Sequence, residues 1–329
     1  MPIGSWIRGR PAASSSSRSP KRMMPPTPGR TVFHDGELAV QRRAGVERIA
    51  ARIGLNISPS MPDEYGSFLS RQPFVVVAGQ DAEGRVWSSL IVGGVGFARV
   101  LDDRRLLLEA ELAPGDPLEH AFEPPGSPIG LLAIEFHQRA RIRLNGTAQR
   151  TGNGIVVAVA EAYGNCHKYI QRRVPVARLA PAADSRPRQG TALDERQARL
   201  IRGSDTFFIA SAHPQRGADA SHRGGRPGFV HVGGDGSAVR FPDYSGNRMF
   251  QTLGNLTVDP RAGLLFLNWD SGTTVQLTGR AEVVWADGGD LAALPGAERA
   301  VDVSIDAVLE RERAMPARWN LIEASRLNP

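Results

Sequence analysis

The chain of 329 residues has a single cysteine, two lysines and no long apolar run. The lone thiol, Cys166, excludes an internal disulfide and a zinc site built from thiolates. It is typical of a reducing compartment, so we expect a cytoplasmic protein. No segment approaches the roughly eighteen apolar residues of a membrane span, and none has the apolar region of a secretory signal. Association with a membrane is therefore not expected.

Acidic residues are missing from the first 34 positions, which hold six of the 40 basic residues. The rest of the chain has 34 basic and 34 acidic residues, so the net charge of +6 belongs to the N-terminal segment. No basic stripe with interleaved aromatic residues is present, and nucleic-acid binding is not expected. Residues 1–30 are rich in serine and proline, have little apolar surface to bury, and predict a disordered tail.

Motifs for catalysis and metal binding are also scarce. One cysteine beside one histidine, Cys166–His167, lacks a completing pair of ligands, so no metal site is expected. The run Gly93–Gly94–Val95–Gly96 lacks the third glycine and the helix of a dinucleotide-binding fingerprint, and no Gly-x-Ser-x-Gly motif occurs. No residue stands out as a catalytic acid, base or nucleophile, and the identity of the substrate stays open.

What the sequence does contain is a repeat at a constant offset of 133 residues. The segment Pro73–Phe74–Val75–Val76 corresponds to Thr206–Phe207–Phe208–Ile209. Seventy residues further on, Leu144–Asn145–Gly146 corresponds to Leu277–Thr278–Gly279, and no gap is needed between the two matches. The chain is therefore predicted to hold two copies of one unit. Paired copies form an interface, and interfaces between domains are common ligand sites.

The pattern of apolar residues predicts many short strands flanked by a few helices. The predicted helices cover 36–54, 62–70, 194–201 and 305–313. The predicted strands cover 74–77, 85–92, 105–111, 129–136, 140–148, 154–162, 206–212, 228–232, 237–241, 262–269 and 273–285. The two units are expected at 31–180 and 193–329, with a linker at 181–192. Short strands separated by turn signals favour a mainly β fold with an antiparallel barrel in each unit.

Two polar segments of the second unit contain the residue types of an anion site. Residues 219–229 offer a hydroxyl, two guanidinium groups and flexible backbone between predicted strands, which suits phosphate. A solvated hairpin loop would have the same composition. Residues 242–255 add hydroxyls, amides and Arg248 at the start of a predicted short helix, where anions commonly bind.

In combination, these segments resemble the pyridoxamine 5′-phosphate oxidase-like family, with its FMN-binding split barrel, and within it the flavin-nucleotide-binding branch. The matching motifs run in order through residues 205–285: Ser221–His222–Arg223–Gly224, Pro227–Gly228–Phe229–Val230, Gly246–Asn247–Arg248, Gly263–Leu264–Leu265–Phe266 and Val275–Gln276–Leu277–Thr278–Gly279. The first unit is similar to the family more weakly, chiefly over residues 74–89 and 161–170.

The resemblance implies two tandem antiparallel split barrels with FMN in the groove between them, so that the fused chain forms an intrachain pseudo-dimer. The residues it implicates in cofactor binding are Ser221, His222, Arg223, Ser245, Asn247, Arg248, Gln276, Lys168 and Tyr169. The side chains at 221, 223, 247 and 248 are expected at the phosphate, and that at 276 near the ring system. For residues 168 and 169, ligand contact and a packed turn stay equally open.

The first unit departs from the motif at the expected phosphate site. It has apolar Leu90–Ile91–Val92 where the second unit has Arg223–Gly224–Gly225, so one FMN per chain is expected. Two functional hypotheses follow from the resemblance. One is an FMN-dependent oxidoreductase for a small-molecule substrate, with NADH or NADPH as candidate electron donors. The other is a flavin- or haem-binding module without turnover. Whether the whole chain also forms a homodimer stays open.

Overall fold

The computed structural model describes residues 32–180, 186–287 and 291–329. The predicted tail 1–30 and residues 181–185 of the predicted linker lie outside the described residues. Thr31–Pro329 forms one compact unit by its internal contacts. Within the described ranges, no helix combines the length and the apolar character needed to cross a membrane.

The described part of the chain contains five short helices. They are α1 (Asp35–Arg43), α2 (Glu47–Gly54), α3 (Asp63–Ser70), α4 (Glu195–Arg202) and α5 (Gln251–Val258). The single helix predicted over 36–54 is two helices, because Gly45 takes a left-handed φ of 67° between them. The start of α4 agrees with the sequence, since the Asp194 side chain accepts a hydrogen bond from the Gln197 N–H.

The strands form two large antiparallel sheets. The first contains β1 (Phe74–Gln80), β2 (Val86–Val92), β3 (Ala98–Asp102), β4 (Arg105–Leu108), β5 (Ser127–Glu135), β6 (Ala140–Thr151) and β7 (Gly154–Asn165). A separate two-stranded sheet pairs β8 (Arg172–Arg178) with β17 (Ala317–Glu323). The second large sheet contains β10 (Thr206–His213), β11 (Gly217–Gly224), β12 (His231–Val232), β13 (Ala238–Asp243), β14 (Arg261–Leu267), β15 (Thr274–Trp285) and β16 (Arg299–Arg311), and β9 (Arg188–Gly190) pairs with β16.

The two large sheets have the same topology. The first has the order β2-β1-β5-β6-β7-β4-β3, and the second has the order β11-β10-β14-β15-β16-β13-β12. Even the irregularities correspond, because a register shift follows Asn145 in β6 and Thr278 in β15, which are 133 residues apart. The predicted fold class, mainly β with two antiparallel units, is confirmed.

Three predicted elements are wrong in detail. The helix predicted over 305–313 is the end of β16, where buried Val301, Val303 and Ile305 alternate with polar residues at the period of a strand. Residues 219–224 belong to β11 rather than to a loop. The predicted linker contains β9, which adds to the second sheet.

Each unit has its own apolar core, and a third core lies between them. Phe74, Val76 and Leu132 of the first unit pack there against Phe208 and Leu265 of the second. Strand β11 packs on β5, and β2 packs on β14 and β15. The units are therefore joined by a continuous apolar interface related by the 133-residue repeat.

Two glycines at equivalent positions permit this interface. A Cβ atom at Gly130 would lie 2.6 Å from the Ala218 carbonyl oxygen, and one at Gly263 would lie 2.5 Å from the Trp87 Cα. Both contacts are with the backbone of the opposite unit, which cannot rotate away.

Replacing either interface glycine by alanine is expected to lower the free energy of unfolding by about 1–3 kcal/mol, because the methyl group overpacks the interface. Urea denaturation of Gly130→Ala and Gly263→Ala measures the loss. Gly152→Ala is the matched control, since a Cβ there has no atom within 4 Å. Unchanged stability in the two interface variants would contradict the close approach of the units.

Candidate functional site

A pocket between the two units brings together most of the residues predicted from the sequence. Its walls come from β6 and the end of β7 in the first unit, and from β11, the end of β13 and the start of α5 in the second. Its mouth is open to solvent, and the cavity itself has a volume of about 80 Å³.

One wall of the pocket is a cationic cluster, formed by Arg141, Arg143, His222 and Arg223. The two arginines of β6 are alternate residues of one strand, and the other two residues are neighbours on β11. Arg143 and His222 are only 2% and 3% exposed. Arg141 Nη1 lies 2.7 Å from His222 Nδ1, and Arg143 Nη2 lies 2.5 Å from Asp219 Oδ1.

The cluster has fewer negative than positive charges. Asp219 pairs with Arg143, and the Asp243 carboxylate is 3.8 Å from Arg223 Nη2 while it also accepts two hydrogen bonds from Arg299. Burial, together with the charges of Arg223 and Arg143, lowers the pKa of Arg141 to about 9. Burial and the adjacent arginines also hold the pKa of His222 well below its usual range. A dehydrated cationic wall of this kind favours an anionic ligand.

Several polar atoms of this wall lack a hydrogen-bond partner among the described residues. They are Nε of Arg141, Arg143 and Arg223, and Nε2 of His222. Buried polar groups are normally paired, so unpaired donors in a pocket indicate a missing acceptor. A phosphate group supplies acceptor oxygens and negative charge together.

The opposite side of the pocket is formed by two loops that are bonded to each other. Lys168 Nζ and the Tyr169 hydroxyl both donate to the Ser245 carbonyl, at 3.3 and 2.9 Å. Asn247 Nδ2 donates to Asn165 Oδ1 at 2.7 Å. These contacts join the loop after β7 in the first unit to the loop after β13 in the second, so both units hold the mouth of the pocket.

Backbone strain is concentrated at this side of the pocket. Tyr169, Arg248 and Phe250 have left-handed φ values of 65°, 64° and 63°, and all three line the pocket. Non-glycine residues in this region cost energy and cluster at ligand sites. Arg248 is held by Glu298, whose two carboxylate oxygens lie 2.8 and 2.9 Å from Nη1, and by the Ser245 hydroxyl.

The structure does not bring all nine predicted residues together. Seven line the pocket, and they are Lys168, Tyr169, Ser221, His222, Arg223, Asn247 and Arg248. Ser245 supports two of them through its carbonyl. Gln276 lies elsewhere and donates to the Ser88 carbonyl and the Ser89 hydroxyl.

Gln276 belongs to a second pocket that is the repeat-related counterpart of the first. The 133-residue offset relates Arg141 to Thr274, Arg143 to Gln276, His222 to Ser89 and Arg223 to Leu90. Thr274 pairs with Arg311 in the sheet as Arg141 pairs with Asn165. The second pocket contains Asp116, whose Oδ1 accepts from the Ser89 hydroxyl and the Leu118 N–H. The four residues that correspond to the cationic cluster of the first pocket are therefore all uncharged in the second pocket: Thr274, Gln276, Ser89 and Leu90.

Sequence reasoning missed the contribution of β6. Arg141 and Arg143 alternate with the buried Ile142 and Leu144, so both sides of this strand lie inside the protein. Two arginines on a strand that is buried on both faces are a signal for an internal anion site, because charged side chains are rarely buried without a partner. The resemblance drew attention to the second unit, where the motifs are denser.

Asp219 connects the cationic wall to the rest of the interface. Its Oδ1 accepts from Arg143 and from Asn145 Nδ2 at 2.7 Å, and its Oδ2 accepts from Asn255 Nδ2 at 2.7 Å. Asn255 lies on α5 and also contacts the His34 ring at 2.9 Å, directly before α1. One buried carboxylate thus joins the first unit, α5 and the N-terminal helix.

The N-terminal end of this network contains a buried carboxyl group on α1. Glu37 is 4% exposed, and its Oε2 accepts from the His34 N–H at 2.8 Å. Burial raises the pKa of Glu37 to about 8, and the charges of Asp219 and Glu161 add to this effect. Burial, with the adjacent His213, lowers the pKa of His34 to about 4.

Stability is expected to fall between pH 6.5 and pH 8 because of Glu37. Its pKa in the folded state lies above the ordinary value of 4.5, so its contribution is complete below pH 4.5 and is lost as the pH rises through about 8. The loss between pH 6.5 and 8 is about 1.5–2 kcal/mol. His34 has the opposite shift, so its contribution is lost below pH 6.5 and does not enter this window.

Urea denaturation at the two pH values measures this effect, with Glu37→Gln as the comparison. Glutamine keeps an acceptor for the His34 N–H but does not titrate. The wild-type protein should lose stability relative to the variant as the pH rises. Parallel stability curves for the two proteins would show that Glu37 is ionised throughout.

One comparison with known proteins gives a match within the second unit. Residues 193–322 match the family model described as pyridoxamine 5′-phosphate oxidase. No curated protein matches the chain. Among the described residues, no group of three or more histidine, cysteine, aspartate or glutamate side chains is arranged to hold a metal ion.

Several solved structures superpose on about a third of the chain. HupZ from Group A Streptococcus is 11% identical, with 38% of this chain and 98% of that chain covered and a TM-score of 0.30. FAD-binding proteins from Mesorhizobium loti and Mycobacterium smegmatis are each 12% identical, with a TM-score of 0.25. They cover 38% and 39% of this chain, and 97% and 98% of their own. At these values the superpositions add nothing to the sequence match. Residues 193–322, which supply β11, β13 and α5 to the pocket, are thus similar in sequence to pyridoxamine 5′-phosphate oxidase.

Proposed function

We propose that this chain binds FMN in the pocket between its two units and acts as an FMN-dependent oxidoreductase. The observation that carries the proposal is the cationic wall of Arg141, Arg143, His222 and Arg223, whose buried donor atoms have no partner among the described residues. Guanidinium groups match the geometry and the charge of a phosphate group. The family match over residues 193–322 supports the same interpretation.

The pocket also offers aromatic surface for a flat ring system. Tyr169 and Tyr244 line it with their ring centres 5.4 Å apart, and Phe229 and Phe250 line it as well. Aromatic side chains pack favourably against planar ligands. A ligand with a phosphate at one end and a conjugated ring at the other therefore fits the two kinds of wall.

The bound flavin would supply the electron transfer, and the protein would bind, orient and shield it. In this proposal Arg141, Arg143 and Arg223 hold the phosphate. In this proposal the loop that contains Tyr169 closes the mouth of the pocket, where the Tyr169 hydroxyl of the first unit donates a hydrogen bond to the Ser245 carbonyl of the second. NADH or NADPH is the proposed electron donor, the substrate is a small molecule, and no catalytic side chain is assigned.

One FMN per chain is proposed, because the repeat-related pocket lacks the cationic wall. Leu90 and Gln276 occupy the positions of Arg223 and Arg143, and Asp116 adds a carboxylate. Arg311 also lines that pocket, and its Nη2 donates a hydrogen bond to the Pro114 carbonyl. Since both units build the first pocket, a single chain contains a complete site.

The absorption spectrum of the purified full chain tests this function. A flavin spectrum after incubation with FMN and removal of excess ligand supports binding, and bleaching by NADH or NADPH under anaerobic conditions supports an oxidoreductase. A flavin spectrum that neither donor bleaches would favour the binding module without turnover. A Soret band after incubation with haem, with no uptake of FMN, would overturn the flavin assignment.

A further inference from the structure

The hydrogen bond between Arg141 and His222 fixes which ring nitrogen of the histidine carries its proton. An arginine side chain can only donate, so His222 Nδ1, 2.7 Å from Arg141 Nη1, must accept. A neutral imidazole that accepts at Nδ1 carries its hydrogen at Nε2. His222 Nε2 is therefore a donor, and it has no partner among the described residues.

The unpaired atoms of the cationic wall are consequently all donors. The Nε atoms of Arg141, Arg143 and Arg223 carry hydrogens, as does His222 Nε2. Two carboxylates lie near the wall. Asp219 accepts hydrogen bonds on both of its oxygens, and Asp243 uses Oδ2 for two hydrogen bonds from Arg299, while its Oδ1 is 3.8 Å from Arg223 Nη2. A fully ionised oxyanion presents acceptors alone and matches such a wall, whereas a protonated oxyanion brings a hydroxyl hydrogen that needs an acceptor.

We propose that this wall selects doubly ionised tetrahedral oxyanions, a phosphate monoester or sulfate, and that neutral His222 is a specificity-determining donor. The proposal concerns the same pocket as the proposed function. It rests on that function for the identity of the ligand as a flavin, whereas binding of the anion does not depend on it. It implies that sulfate competes with the phosphate group of the ligand.

The charged groups around His222 favour the neutral form of the imidazole. Arg141 on β6, Arg173 on β8 and the adjacent Arg223 all face it with positive charge. Together with burial they lower its pKa well below the usual value. The pH dependence of binding should therefore follow ionisation of the ligand.

Calorimetric titration of the full chain with phenyl phosphate and with sodium sulfate, at constant ionic strength, separates the two ligands. The second ionisation of a phosphate monoester has a pKa of about 6, so phenyl phosphate should bind about tenfold more tightly at about pH 7.5 than at about pH 5. Sulfate is a dianion at both pH values and should bind with the same affinity. Phenyl phosphate affinity that does not change with pH, or sulfate that fails to compete with it, would overturn the proposal.

Two variants test the role of His222 itself. His222→Phe keeps a flat ring beside Phe208, whose centre is 5.9 Å away, but removes the donor. It should weaken sulfate binding by about tenfold or more, the loss of one charge-assisted hydrogen bond. His222→Gln offers one acceptor and one donor and should recover most of that loss. Equal sulfate affinity in wild type and both variants would contradict the assignment, and thermal unfolding of each variant verifies that it is folded.

The two proposals can fail separately. If phenyl phosphate and sulfate bind as expected but FMN does not, the flavin function is wrong and the oxyanion selectivity stands. If FMN binds with an affinity that neither sulfate nor pH changes, the selectivity is wrong and the flavin function stands.

Discussion

Replacing Asp219 by alanine is expected to lower the free energy of unfolding by about 3–5 kcal/mol, because it leaves a buried charge without its partner. Arg143 is 2% exposed, and its carboxylate partner at 2.5 Å is Asp219. The same change removes the shortest of the hydrogen bonds that each of the Asn145 and Asn255 amide groups donates. Urea denaturation of Asp219→Ala measures the loss.

A double variant separates the charge from the rest of the network. In Asp219→Ala with Arg143→Leu the uncompensated charge is absent, so much of the lost stability should return. Asp302→Ala is the control, since its pair with Arg240 is partly exposed on both sides and contributes about 0–1 kcal/mol. An Asp219→Ala variant as stable as Asp302→Ala would show that the pair in the pocket wall is not buried.

The affinity for FMN should fall by about one to two decades in Arg141→Leu and in Arg223→Leu, because each removes a charge-assisted hydrogen bond of about 1.5–3 kcal/mol. Both side chains line the pocket and have unpaired Nε atoms. Leucine keeps apolar volume in the wall, which limits the change to the loss of charge and donors. Fluorescence titration of each folded variant with FMN measures the effect.

Arg99→Leu is the matched control for these variants. Arg99 lies in the first unit and pairs with Glu109 at the surface, where its side chain is 58% exposed. Its replacement should leave FMN affinity unchanged. A loss in the control equal to that in Arg141→Leu and Arg223→Leu would mean that net charge, and not the pocket wall, governs binding.

The repeat was the strongest predictor of the fold. The offset of 133 residues holds without a gap as far as Gly146 and Gly279, so the sequence predicts two equivalent sheets. The structure has the same strand order in both sheets. Helix prediction failed over 305–313, because residues 305–311 continue β16, in which Val301, Val303 and Ile305 are buried at the period of a strand. The left-handed turn at Gly45 divided a helix whose apolar spacing runs through both parts.

The candidate site could be predicted from the sequence where its residues lie within one short motif. Ser221, His222 and Arg223 are consecutive in sequence and share one wall of the pocket. Arg143 was not predicted, because the family motifs are denser in the second unit and the arginines of β6, which alternate with buried Ile142 and Leu144, were not considered. Gln276 was assigned from its strand alone, and the pseudo-symmetry of the fold places it in the second pocket.

Parallel titration of the full chain with FMN and with riboflavin tests the central claim most directly, since the two ligands differ only by the phosphate. We predict one FMN per chain, with riboflavin bound at least about a hundredfold more weakly because it makes none of the charge-assisted hydrogen bonds to the cationic wall. Equal affinities for the two ligands, two FMN molecules per chain, or no binding of FMN would contradict a phosphate-anchored flavin in this pocket.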